Sequence, residues 1–311
     1  NSIHHASAFG TRTRVDLFLT GYDSMLKPAL TIDEQIKLLQ SRGMIIVDDS
    51  QARIFLLQNN YYRLNVYFHK FMDEPNHYPD GTMFEAITNV YENDQWFRNK
   101  LLFLLESIEI HVKTSIAYYL GLNYGSDCFY LENIYENKSY FHEVQRAFTS
   151  EINRESNKKN PVIIHHLKKY DGQFPIWVVV EFLTFSRISK YFSSLSRGDR
   201  TQIAKNEFNV DEYFFSNWLH SLSVLRNICA HFGHLYQRGL LVAPKIYREL
   251  NIDPQAIQTV FGLCVVMKYL VDSQKWLPFI TAISDRSTQN LSFKLIDYGF
   301  PTNWQNYLLH P

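Results

Sequence analysis

Residues 225–238 read LRNICAHFGHLYQR, and there one arginine, one asparagine and two histidines stand among apolar residues. Arg226 and His231 have four residues between them. Arginine carries a permanent charge on a planar fork that matches a phosphate. An imidazole takes or gives a proton near neutral pH. The two groups suffice for RNA cleavage without a metal. The imidazole takes the proton of a ribose 2′-OH, the oxygen attacks the adjacent phosphorus, and the arginine stabilises the charged phosphorane. A second acid must protonate the leaving 5′-oxygen. One helix supplies one Arg–His pair, and a two-fold homodimer would bring a second pair to face it.

Metal binding is the rival chemistry for these residues. His231 and His234 stand at i,i+3, but the chain has no acid or third histidine close by to complete a zinc set. His220 lies eleven residues before His231, about 16 Å along a helix axis. We therefore predict no metal site and no cofactor. No glycine-rich phosphate loop opens a helix, so nucleotide-fuelled chemistry is not indicated. Cys128, Cys229 and Cys264 form no CxxC pair and read as buried free thiols of a reducing cytoplasm.

A helix must present these groups. With Trp218 at zero on a helical wheel, Leu222, Leu225, Cys229 and Phe232 fall within about 40° and form the expected core stripe. His220, Ser223, Asn227, His231 and His234 read as the outer face, with Arg226 on the flank. An outer face normally carries Lys and Glu. This one suits an interface or a reaction site, with an ordinary solvated face as the alternative.

The remaining elements read as helical almost throughout. Thr31 and Glu34 form a capping box before Ile32, Ile36 and Leu39, and Gly43 ends that run. One helix is expected over 50–72, capped by Asp48, Asp49 or Ser50, and a linker over 73–81. A long helical pattern over 83–121, either continuous or broken once, carries an apolar stripe of Leu101, Leu104, Leu105, Ile108, Val112 and Ile116, with Glu109 and Lys113 paired on its outside. Residues 151–172 are the most basic local stretch; Lys158, Lys159, Lys168 and Lys169 are either a solvated surface or a phosphate-contacting one. Residues 174–195 read as one helix with Glu181 on its inward face, and a last long helix opens at Pro254. Strand-like alternation is rare, so the class is all-α. Lys plus Arg equals Asp plus Glu at 31 each, so any nucleic-acid site must be a local patch. The longest apolar stretch, VFGLCVVMKYLV, is about half a membrane span, so no membrane partner is expected. The first eighteen residues lack the apolar region of a leader and are set aside.

RNICAH at 226–231 resembles the R-x4-H motif of HEPN proteins (higher eukaryotes and prokaryotes nucleotide-binding). The blocks at 27–44, 59–68, 104–120 and 174–195, in this order, resemble the bacterial abortive-infection (Abi) family of the AbiD/AbiF type, over roughly residues 24–240. The resemblance implies a HEPN-like helical bundle with an N-terminal helical extension. It divides the chain into an N-terminal helical region over 24–75, a motif-bearing domain over 82–275 and an irregular or helical tail over 276–311. It further implies a cytoplasmic homodimer with a composite site and metal-independent endoribonuclease activity in phage defence or as a toxin. RNA is the implied substrate, and a noncoding RNA antitoxin or regulator is an implied partner. Arg226, Asn227 and His231 would be catalytic, and His234 and Arg238 would join the four lysines in holding RNA. Here Phe232, Gly233 and His234 stand where relatives often carry a further His, Ser and Arg, so the role of His234 is open. Glu106, Glu109 and Glu181 read as structural or supporting. The rival within the resemblance is a noncatalytic RNA-binding or regulatory HEPN module.

Overall fold

A computed structural model describes residues 28–309. The stretch 1–18 and residues 24–27 of the expected N-terminal region lie outside the described residues, as do 310 and 311. Among the described residues there are helices and isolated bridges but no strands, so the fold is all-α.

Two compact units divide the chain. The smaller comprises residues up to Arg63 together with Phe71–Phe84. Its first helix, α1 (Ile32–Ser41), starts at the predicted capping box: the Glu34 amide donates to the Thr31 hydroxyl, and the Glu34 carboxylate accepts from the Thr31 amide. Asp48 caps α2 (Asp49–Gln58) by accepting from the Ser50 and Gln51 amides. The single helix expected over 50–72 is two, because the chain is extended at Asn59 before α3 (Tyr61–Lys70) begins.

The larger unit comprises Leu64–Lys70 and the chain from Glu85 onward. Its axis is α4 (Phe84–Tyr124), an unbroken 41-residue helix about 60 Å long. Leu101, Leu104, Leu105, Ile108, Val112 and Ile116 are all fully buried along it, as the stripe predicts. Each such side chain contributes roughly 2 kcal/mol relative to exposure. Helices α5 (Lys138–Asn157) and α6 (Pro161–Lys169) follow and pack together.

The helix expected over 174–195 divides into α7 (Ile176–Phe182) and α8 (Phe185–Ser194), with Leu183 extended between them. A valine run over 178–180 is a weak helix former. The break resets the helical phase, so Ile176, Val179 and Val180 are buried while Trp177, Glu181 and Thr184 are exposed. Glu181 is therefore not on an inward face. Helix α9 (Arg197–Phe208) leads into α10 (Glu212–Ala230), which packs along α8 and against α12.

The last long helix is also interrupted. A short α11 (Pro254–Ile257) gives way at Thr259 to α12 (Val260–Met267), all of whose residues are buried. A Cβ on Gly262 would lie 2.2 Å from the Ile257 carbonyl oxygen, so only glycine permits this junction. The first eight residues of the apolar stretch VFGLCVVMKYLV are thus a helix buried on all sides, and no described helix is long and apolar enough to cross a membrane. Helix α13 (Ser273–Gln289) buries Trp276, Phe279 and Ile283, and Phe300 and Trp304, just before the short α14 (Gln305–Leu308), are buried as well.

Candidate functional site

Asp211 starts α10 by accepting from the Tyr213 amide at 2.8 Å. Trp218, Leu222, Leu225 and Cys229 face the core and are at most 1% exposed. Burial pushes the Cys229 thiol up to about 12, which leaves it protonated and inert. The predicted stripe holds to this point and then fails. The helix ends at Ala230, and Phe232 is 64% exposed rather than buried. Ser223 is also not outward; it is buried and donates to the His220 carbonyl at 2.8 Å.

His231 is the C-cap of α10. Phe232 then takes a left-handed backbone (φ 59°), which glycine usually supplies. Its amide donates to the Cys229 carbonyl at 3.2 Å, and the Gly233 amide donates to the Ile228 carbonyl at 2.7 Å. The next amides, of Leu235 and Tyr236, leave the helical pattern altogether and donate to the carboxylate of Asp94 at 3.0–3.1 Å. Asp94 lies on α4, is fully buried, and also receives the Tyr67 hydroxyl at 2.5 Å and the Arg98 guanidinium at 2.6 Å. Every one of these contacts is a donor and favours the ionised carboxylate, against the burial that pushes the Asp94 carboxyl upward. This anchor turns the chain away from the helix axis immediately after His231.

His234 therefore does not extend the polar helix face. It is half-buried beside the Tyr67 ring (6.3 Å, edge-on). Burial, reinforced by Arg238, Lys70 and Arg98, depresses its imidazole to about 4, so it is neutral at neutral pH. Arg238 donates to the His234 carbonyl at 3.3 Å. These two residues belong to the loop that fixes the helix end.

Arg226 points from α10 toward α4. Its Nε lies 3.4 Å from Oε2 of Glu109, and Oε1 of Glu109 lies 3.1 Å from Lys113 Nζ. The Glu109–Lys113 pair is nearly buried, with side chains 11% and 10% exposed, so it is not on the outside of α4. Arg226 Nη1 also donates to Asn227 Oδ1 at 3.4 Å, and Asn227 Nδ2 donates to Ser186 Oγ of α8 at 3.1 Å. Glu109 and Asn227 thus hold two edges of the guanidinium, and Arg226 lines a cavity of about 640 Å³ with Asn99, Glu106, Glu109, Lys113 and Ala230. Phe103 and Ile110 line this cavity too and are 58% and 56% exposed.

Arg226 and Asn227 are brought together, and His231 follows at the helix end, bound through its backbone amide to the Asn227 carbonyl at 3.0 Å. The His231 side chain is exposed and has no hydrogen bond or ion pair with a described residue. Lys158, Lys159, Lys168 and Lys169 are exposed at the ends of α5 and α6, and none lines the Arg226 cavity. Lys158 is paired with Glu155 at 2.9 Å. Among the described residues no three His, Cys, Asp or Glu side chains gather into a metal-binding group. Sequence reasoning read Glu109 only as structural or supporting and did not assign Lys113, Ser186 or Asp94 to the site. Glu109 carried a signal, since it stands four after Leu105 and three before Val112, at the edge of the buried stripe.

These features define an all-helical protein with a charged site at the C-terminal end of a long helix. The family model for Abi-like proteins matches residues 54–237, more than half of the chain, and the chain belongs to that family. No curated protein and no solved structure matches it.

Proposed function

We propose that this chain is a metal-independent endoribonuclease of the HEPN superfamily, of the AbiD/AbiF type, acting in the cytoplasm as toxin or effector of a bacterial abortive-infection or toxin–antitoxin system. One observation carries the reading: Arg226 is oriented on a cavity by Glu109 and Asn227, while the His231 side chain is left uncommitted at the end of the same helix. The His231 imidazole accepts the 2′-OH proton, and the 2′-oxygen attacks phosphorus as the bond to the 5′-oxygen breaks. Arg226 stabilises the developing charge. The products are a 2′,3′-cyclic phosphate and a 5′-hydroxyl, whose proton comes from the second acid. That acid is supplied by a second copy in a homodimer. Exposed Phe103 and Ile110 beside the Arg226 cavity support such an interface.

The competing reading is a noncatalytic RNA-holding module bound to a noncoding RNA regulator; it is favoured by the Glu109 carboxylate already occupying Arg226 Nε. Incubating the protein with RNA in EDTA separates the two. Cleavage by the wild type, lost by at least about a hundred-fold in Arg226→Ala and His231→Ala, is the expected result. RNA left intact in every tube, under conditions where binding is measured, sinks the nuclease reading. Cleavage that stops when EDTA is added overturns the metal-independent mechanism.

A further inference from the structure

Trp177 stands at the start of α7 with 55% of its surface exposed. Its ring meets no other aromatic ring and its N–H has no partner among the described residues. So large an apolar side chain is normally well buried, and exposure at a cavity wall marks a binding surface. Trp177 lines a cavity of about 450 Å³, the size range of small-ligand pockets. Tyr170, 46% exposed, lines it as well, with Lys169 Nζ 5.1 Å from its ring centre. No lining residue is shared with the Arg226 cavity.

The cavity is held in shape before any ligand arrives. The His166 ring stacks on Phe174 at 5.2 Å and 20°, and its Nδ1 lies 2.9 Å from the Val162 carbonyl. The Phe174 amide donates to the Tyr130 hydroxyl at 3.0 Å, and the Ile176 amide donates to the Ser126 carbonyl at 2.8 Å. Polar groups stand among the rings: Asp127 offers an acceptor, Gln173 both a donor and an acceptor, and Ser126, Tyr130 and His165 add further hydrogen-bonding groups. Lys168 and Lys169, in the last turn of α6, make no ion pair with a described carboxylate. Aromatic walls, an edge-reading amide and carboxylate, Lys169 over the Tyr170 ring and Lys168 next to it in the chain are the combination that takes an unpaired nucleotide.

We propose that the Trp177–Tyr170 cavity holds an unpaired base of an RNA strand by stacking, with Lys168 and Lys169 on its phosphates. This rests on the reading of RNA as the substrate, and it makes the protein a reader of single strands rather than duplexes. The test is the affinity of the full chain for a short single-stranded 2′-O-methyl oligonucleotide, which lacks the attacking hydroxyl, measured by fluorescence anisotropy. Trp177→Ala is expected to weaken binding about ten-fold or more, Tyr170→Ala to weaken it similarly, and Trp177→Phe to retain most of it. Thermal unfolding checks that Trp177→Ala, at an exposed position, stays folded. Unchanged affinity in a folded Trp177→Ala overturns the proposal while RNA cleavage, assayed separately, leaves the nuclease reading standing. Equal affinity for a duplex, or for a free nucleoside monophosphate, also overturns it. If the wild type binds no oligonucleotide, the cavity assignment falls and the cleavage assay alone decides the catalytic one.

Discussion

Glu109 touches both Arg226 and Lys113, and its removal has two separable effects. Glu109→Ala leaves Lys113 nearly buried without a counter-charge, which costs about 3 kcal/mol. Adding Lys113→Met is expected to recover most of that stability in chemical unfolding. The double variant should still cleave RNA more slowly than wild type, because Arg226 has lost a positioning contact. His234 gives a different signature. Its imidazole falls from 6.5 to about 4 on folding, so between these values the unfolded chain binds a proton that the folded chain does not. The stability contribution of His234 is full above about pH 6.5 and is lost as pH falls toward 4. Unfolding of His234→Gln should show a shallower acid limb than wild type; parallel limbs would dismiss this account. At this scale spacing proposed the arginine and the first histidine as a pair, and the resemblance added the asparagine. Their partners could not be read this way, since Glu109, Ser186 and Asp94 come from other helices and are joined to them only by tertiary packing.

The elements were legible where a stripe or a cap repeated locally. Thr31 and Glu34, the α4 leucines and the Trp218–Cys229 face all carry their signal within a few residues. The breaks were not, because each depends on something distant or stereochemical. The α7–α8 joint follows a valine run, the α11–α12 joint needs Gly262 against Ile257, and α10 ends because Asp94 captures two amides beyond it. Missing that last event misplaced Phe232 and His234 together. Gly233 is the sensitive point of the helix end. A Cβ there would meet Ile228 Cγ2 at 3.0 Å and the Ile228 carbonyl oxygen at 3.1 Å. Gly233→Ala is expected to lower stability by about 1–3 kcal/mol and to impair cleavage through His231, even though residue 233 takes no part in the chemistry. Circular dichroism and the RNA assay together check this, and full activity in a destabilised variant would uncouple the helix end from His231.

At the scale of the whole molecule, the proposed reaction needs two copies, and the exposed residues of α4 give a direct way to ask for them. Phe103→Glu or Ile110→Glu, each in a half-exposed position, should leave the monomer folded, shift sedimentation to the monomer and abolish cleavage. A monomeric variant that still cuts RNA would show that one chain is sufficient. The anchor at Asp94 bears on timing. It binds residues 141 and 142 positions further along the chain, and contacts of such separation form late, after the loop-closure entropy has been met. During synthesis, α4 emerges and can fold long before Leu235 leaves the ribosome. The His231 end of α10 has no anchor until then. A growing chain therefore holds Arg226 and His231 without the fixed helix end on which the proposed cleavage depends, and the messenger being translated would be spared the activity until the domain closes.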